Sequence, residues 1–199
     1  LFDSVLGDVY SKRSNDWEKI AQKQLLTIFK RAVHEVSAYE SFMLGSGINP
    51  KDIRSIKAFE AVPVVTKKNY LRAYSWSDIC KKKSLLQEPL VMTSTSGSTG
   101  SPFYFPRRVS VDMQSAVSHH MFLRSSKIDH KKSTLVINCF GMGVWIGGLL
   151  TYQAFKHITE HGYPLTIITP GISKNEIFQA FKNLASHFDQ IILCGYPPF

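Results

Sequence analysis

Apolar residues recur at helical spacing along residues 16–44: Trp17, Ala21, Leu25, Ile28, Ala32, Val36, Tyr39 and Met43. The spacing predicts one long helix, capped at its start by Asn15 or Asp16 and ended by Gly45 or Gly47. Pro50, Pro63 and scattered lysines then mark short helices and loops up to about Gln87, with Thr66 placed to cap a short helix over 67–73. From Pro89 the pattern changes. Residues 90–95 are β-prone, 94–101 are a run of small residues, and 103–106 read as extended. Ser110 opens a helix with Met113, Val117, His120 and Leu123 on one side. Three apolar runs follow, 134–139, 165–169 and 190–194, separated by helices over 144–161 and 174–187. Ser173 and Glu176 form a capping box for the second of these helices; Ile177, Ala180, Phe181, Leu184 and Phe188 form its buried stripe.

Short, uniformly apolar strands alternating with helices imply a parallel sheet covered on both faces, a βαβαβ unit. The expected fold class is α/β. A helical lead-in with a basic loop region occupies 1–87, and a partial parallel sheet flanked by helices occupies 88–199.

Composition narrows the class without changing this picture. The 199 residues are 44% hydrophobic, 12% aromatic and 20% charged, which excludes disorder, collagen and coiled coil. The least charged stretch, 133–155, carries Asn138, Thr151, Gln153 and several glycines, so it is too polar for a membrane span. No secretory leader is visible. Cys80, Cys139 and Cys194 are odd in number and widely spaced, matching neither a disulfide framework nor a metal knuckle, so a reducing cytoplasm is the expected compartment. A start at Leu1 and a stop at Phe199, straight after an apolar run and two prolines, read as those of a piece of a longer protein.

The net charge of +9 is unevenly placed. Residues 1–50 balance six acids with six bases, whereas 51–83 hold nine bases and three acids. Such a balance favours an anionic partner: a nucleic acid, an anionic membrane surface or a polyphosphate ligand.

The segment that separates these options is Thr93-Ser94-Thr95-Ser96-Gly97-Ser98-Thr99-Gly100-Ser101-Pro102. Two glycines let backbone amides turn toward one point, and the hydroxyls add donors, so the loop can hold phosphate oxygens through neutral hydrogen bonds. It is no Walker loop, since no Gly-Lys-Ser/Thr ends it and Pro102 stands where a helix would continue. A flexible Ser/Gly linker has the same composition, but this loop joins two β-like runs.

Residues 95–102 resemble the phosphate-binding signature of the adenylate-forming superfamily, which includes acyl- and aryl-CoA synthetases. Further segments resemble its phenylacetate–CoA ligase branch. They are Val62-Pro63-Val64-Val65-Thr66-Lys67-Lys68-Asn69-Tyr70-Leu71-Arg72, Phe140-Gly141-Met142-Gly143-Val144-Trp145-Ile146-Gly147-Gly148, Ile168-Thr169-Pro170-Gly171 and Gly195-Tyr196-Pro197-Pro198. The resemblance covers about residues 40–199 and implies the N-terminal part of such an enzyme. The implied reaction joins a small carboxylic acid to ATP, with Mg2+, giving an acyl-adenylate and pyrophosphate. The acyl group then passes to a thiol, that of coenzyme A or of a carrier protein. By this resemblance Thr95, Ser96, Ser98, Thr99 and Ser101 supply side-chain donors to the nucleotide phosphates, and Gly97 and Gly100 supply amides. Phe140, Met142 and Trp145, at a strand-to-helix turn, would wall the acid's apolar pocket; the bland reading of the same three is core packing. Where many members carry a lysine beside the proline, this chain has Ser101 and Phe103, and Arg107 and Arg108 restore charge only if the extended segment folds back. The catalytic residues, the metal-binding glutamate and the late lysine of the superfamily have no match up to Phe199, so the chain alone is expected to be inactive.

Other signals weigh less. Gly141-x-Gly143 with Gly147 sits between a strand and a helix, but the third glycine is one residue late for a dinucleotide fingerprint and no acid ends the next strand. His119-His120 lacks a ligand at four-residue spacing, so no metal site is expected there. No Gly-x-Ser-x-Gly elbow exists. Lys81-Lys82-Lys83 suits a solvated loop or the phosphates of coenzyme A. The rival from another class is a basic, non-enzymatic nucleic-acid-binding module; it makes no use of the glycine segment, and aromatic RNA-reading patterns are missing, so nucleic acid is not the expected partner.

Overall fold

A computed structural model of the chain describes residues 2–81, 89–95 and 101–196. The chain divides into two compact units, residues 7–89 and residues 90–199 joined by the first six.

The helical unit is built on α2 (Ser14–Glu35) and α3 (Ser37–Gly45), with short helices α4 (Ile56–Phe59) and α5 (Trp76–Ile79). The single helix expected over 16–44 is therefore two helices, broken at Val36, whose backbone is extended (φ −124°, ψ 99°). The break has a packing reason. Phe29, Met43 and Ile53 form one cluster, whereas Ala38, Phe42 and Tyr70 form a second, and a straight helix cannot serve both. Ser37 fixes the new direction by donating its hydroxyl to Asp78 Oδ1 at 3.2 Å. Ile28, expected on the buried stripe, is exposed, and its neighbour Phe29 takes the core position. The helix starts at Ser14 with Arg13 as its cap, rather than Asn15 or Asp16, and the Asp16 carboxylate accepts the Arg13 N–H at 3.3 Å.

Thr66 caps as expected, its Oγ1 accepting the Asn69 N–H at 3.1 Å while Asn69 Oδ1 accepts the Thr66 N–H at 2.6 Å. The segment it opens, Lys67–Leu71, is a single wide turn of π-helix. Lys81 pairs with Glu35 at 3.1 Å, so that lysine belongs to the helical unit's own charge balance; Lys82 and Lys83 lie outside the described residues.

In the other unit, β1 (Val91–Ser94) and β2 (Tyr104–Arg107) pair antiparallel, with Val91 opposite Arg107 and Ser94 opposite Tyr104. The hydroxyl-rich loop is thus the tip of a hairpin. Next come α6 (Val109–Ser125), β3 (Thr134–Asn138), α7 (Ile146–Glu160), β4 (Leu165–Ile168), α8 (Lys174–Leu184) and β5 (Gln190–Cys194). The three later strands form a parallel sheet in the order β4-β3-β5. Every residue of the central strand β3 is buried, which explains its unbroken apolar run. Alternation along it sends Val136 toward Ala116, Leu123, Phe155 and Ile158 of α6 and α7, and Leu135 and Ile137 toward Ile177 and Leu184 of α8. The sheet is therefore covered on both faces, as the α/β expectation requires. An N-terminal helix that the sequence pattern did not reveal, α1 (Phe2–Ser11), adds Leu6 to the α6–α7 side of this core.

Two details of the strand–helix pattern differ. Phe181 is half exposed and does not join Ile177, Ala180, Leu184 and Phe188. Of the expected capping box, Ser173 Oγ accepts the Glu176 N–H at 3.4 Å. No helix among the described residues is long and apolar enough to cross a membrane.

Candidate active site

In a parallel sheet the loops after each strand collect at one end, where ligands of such folds bind. Here the collecting point is Asn138, the last residue of β3 and fully buried. Its carbonyl accepts the Gly171 N–H from the loop after β4 at 3.3 Å. Next to it, the Cys139 N–H donates to Cys194 of β5 at 2.7 Å. The Asn138 amide donates to the Gly148 carbonyl at 3.0 Å, and its Oδ1 accepts the Phe140 N–H at 3.3 Å. One buried side chain thus shapes the whole 139–148 turn, because both its donor and its acceptor are committed to backbone. A single Asn ending an otherwise apolar strand was the sequence signal for this role, and the sequence reading passed it over.

The glycines of the turn allow close approach. A Cβ on Gly148 would lie 2.3 Å from the Gly141 carbonyl oxygen and 2.8 Å from Met142 Sδ. Gly143 has φ +79° and Gly171 φ +64°, conformations that favour glycine.

The three residues expected to wall an acid pocket share this turn but face different surroundings. Phe140 lines a cavity of about 370 Å3 together with His119, Phe122, Phe155 and Cys194. Met142 packs inward, its sulfur 3.8 Å from Asn138 Nδ2. Trp145 is 40% exposed and lies over Gly141, where an added Cβ would meet its Cδ1 at 2.9 Å. A second cavity, of about 490 Å3, opens on the α8 side of the same end, between Cys139, Lys174, Phe178 and Tyr196.

Helix α7 starts at Ile146, two residues later than expected, because the chain before it is used elsewhere. The Val144 carbonyl accepts the Ser94 N–H at 2.8 Å, and Ser94 and Trp145 form a single parallel bridge. The hairpin carrying the hydroxyl-rich loop is therefore fixed to the glycine-rich turn at the sheet's ligand-binding end. Thr95 closes the hairpin: its N–H donates to the Phe103 carbonyl and its Oγ1 accepts the Phe103 N–H, both at 3.0 Å. Ser101, at the other foot of the loop, is exposed. Ser96, Gly97, Ser98, Thr99 and Gly100 lie outside the described residues.

Arg107 does not fold back toward the loop. It sits at the opposite end of the hairpin, three positions beyond Tyr104 and so about 10 Å away by strand rise. It is buried against Asp112, with Nε 2.8 Å from Oδ1.

Burial shifts Cys139, Cys194 and His120 toward their neutral forms. Burial raises the Cys139 thiol, and burial together with Cys139 pushes Cys194 up to about 11. His120 is lowered by burial, then by Arg124 and His130; its Nε2 meets the Tyr163 hydroxyl, and the two rings stand edge to face. Among the described residues no three His, Cys, Asp or Glu side chains gather where they could hold a metal ion.

No protein-family model matches the sequence, and no curated protein does. Solved structures do. 2-Hydroxyisobutyryl-CoA ligase in an open conformation, in complex with 2-HIB-AMP and CoA, superposes with TM-score 0.64 at 18% identity, over 84% of this chain and 37% of that one. The same ligase in its postadenylation state with 2-HIB-AMP gives TM-score 0.66 at 16% identity, over 87% and 35%. Over the matched part, the fold of this chain is that of these ligase structures. This chain spans little more than a third of those ligases, and at such identity the likeness is one of architecture.

Proposed function

We propose that this chain is the N-terminal part of an ATP-dependent acid–thiol ligase, of the phenylacetate–CoA ligase-like branch, with coenzyme A as the acceptor. Residues 1–87 serve as its helical lead-in and 88–199 as the α/β part of its nucleotide-binding domain, the rest of that domain and a C-terminal domain lying beyond. The observation that carries the reading is the Ser94–Val144 hydrogen bond. It ties a hydroxyl-rich hairpin tip to a glycine-rich turn at the ligand-binding end of a parallel sheet. The CoA ligases that share the fold were captured with an acyl-AMP and with CoA, which supports the same two half-reactions here.

In the first, a carboxylate oxygen attacks the α-phosphorus of ATP and the bond to the β-phosphate oxygen breaks, releasing pyrophosphate. In the second, the thiol loses its proton, its sulfur attacks the acyl carbon, and AMP leaves. Developing charge in the first step falls on the pyrophosphate, so preorganised donors there lower the barrier. Thr95, Ser96, Ser98, Thr99 and Ser101 would give hydroxyl donors, and Gly97 and Gly100 amides. Phe140, Met142 and Trp145 would shape the acid's surroundings. We assign no Mg2+ ligands in this part of the protein and route no step through the ion.

The test is acid-dependent exchange of pyrophosphate into ATP. In the complete protein, Thr99→Ala should slow exchange by the equivalent of about 3 kcal/mol of transition-state stabilisation, with the melting curve unchanged. Residues 1–199 alone should show no exchange. Unaltered exchange in Thr99→Ala, or robust exchange by the isolated chain, would overturn the assignment.

A further inference from the structure

A cavity in the helical unit is lined by residues to which the reaction above assigns no role. It has a volume of about 690 Å3 and opens between α2, α3 and the turn at Pro50–Asp52. That is within the range of small-molecule sites. Its floor is apolar: Phe29 and Ile53 are buried core residues, and Val33 packs beside them. Its rim is basic, with Lys30, Lys51 and Arg54 set against the one carboxylate of Glu40.

The rim cations are unspent. Among the described residues Lys30, Lys51 and Arg54 form no ion pair, although Asp52 and Glu60 are near in sequence. Arg54 is also held in place. Its Nε donates to the Lys51 carbonyl at 2.9 Å, and the Lys51 N–H is in turn held by Asn49 Oδ1 at 3.1 Å. An anchored guanidinium with its terminal nitrogens unused, above an apolar floor, matches a ligand with an anionic head and an apolar tail.

We infer that this cavity binds an amphipathic anion, a carboxylate or phosphate carried on a single alkyl chain. Its lining residues are not those of the sheet-end site, and the inference does not depend on the ligase reading. Both heads offer the same chemistry to Lys30 and Arg54, and the experiment distinguishes them.

Calorimetric titration of the 199-residue chain with decanoate and with decyl phosphate, each below its micelle concentration and at low salt, should give one saturable site for at least one of them. The tighter probe names the head. Decanol lacks the charge and inorganic phosphate lacks the tail, so each should bind roughly tenfold more weakly or not at all. Lys30→Gln should weaken binding by roughly fivefold or more, and Arg54→Gln likewise. Lys30 makes no hydrogen bond or ion pair among the described residues, and an unchanged melting curve for Lys30→Gln separates lost binding from lost folding. Hydrogen exchange should slow on binding in residues 29–33 and 49–54. Decanoate is itself a carboxylic acid, so the exchange map also serves as the control: residues 139–148 should show no added protection. Absence of saturable binding, insensitivity to Lys30→Gln, equal binding of decanol or inorganic phosphate, or added protection at 139–148 in place of 29–33 and 49–54 would each overturn the inference.

Discussion

Ser94 and Val144, fifty positions apart in sequence, are joined backbone to backbone: the Ser94 N–H donates to the Val144 carbonyl at 2.8 Å. This bond sits where the hairpin stops being a strand and the hydroxyl-rich tip begins. It converts two separate sequence features, a small-residue loop and a glycine-rich turn, into neighbours. It holds the foot of the hydroxyl-rich segment beside the glycine-rich turn, where, under the proposed reaction, donors would meet the departing pyrophosphate.

Ser94→Pro removes that N–H and nothing from the sheet. The expected result is faster hydrogen exchange in 91–95 and 104–107, with protection of β3 retained. Under the proposed function pyrophosphate exchange in the complete protein should fall, and overall stability should drop by about 1 kcal/mol from the lost Ser94–Val144 hydrogen bond. Native exchange rates in both assays would show that the anchor is dispensable.

Gly147 and Gly148 are adjacent in α7, yet their substitution by alanine should have opposite signs. At Gly148 the new Cβ meets the Gly141 carbonyl oxygen at 2.3 Å, a backbone atom that cannot swing aside. A loss of about 1–3 kcal/mol is expected, as for other overpacked sites. At Gly147 the nearest atom is Phe140 Cδ1 at 3.5 Å, ordinary contact, so the helix gains from alanine by up to about 1 kcal/mol. Urea midpoints of the two variants check the pair, and equal shifts would contradict the packing described.

His120 supplies a pH dependence with a definite sign. Burial, Arg124 and His130 hold its folded-state pKa below the usual histidine value. The unfolded chain therefore takes up the proton first. The stability that neutral His120 contributes is present above about pH 6.5 and is lost as pH falls through the folded value. The denaturation midpoint should drop between pH 7 and pH 5, and His120→Phe should flatten that drop. A midpoint that rises on acidification would refute the sign.

The sheet was legible in the sequence because its strands are short, apolar and bounded by glycine or proline, and the period changes where the chain turns into helix. The helical lead-in was less so. The stripe through Trp17, Leu25, Val36 and Met43 carries no mark of a break. Only the competition of two clusters for Phe29 and Phe42 bends the chain at Val36. At the candidate site, glycine spacing marked the turn, but which side each apolar residue faces depends on backbone pairing. Trp145 could not be placed until the Ser94–Trp145 bridge was known. Asn138 escaped notice for a related reason, since its two partners, Gly148 and Phe140, are backbone groups with no side-chain signature.

Phe140 and Trp145 should separate acid specificity from stability. Phe140 lines the cavity of about 370 Å3, so Phe140→Ala in the complete protein should enlarge it and favour bulkier acids, with the KM for ATP unchanged. Trp145 is 40% exposed, so Trp145→Ala should cost only about 1 kcal/mol rather than the roughly 3–5 kcal/mol of a core aromatic. If its indole also borders the acid, the ranking across a panel of aryl and alkyl acids should shift while the denaturation midpoint barely moves. A changed ranking at near-native stability assigns Trp145 to the pocket wall. An unchanged ranking with a large loss of stability would return it to a packing role over Gly141, and Phe140 would then carry the specificity without it.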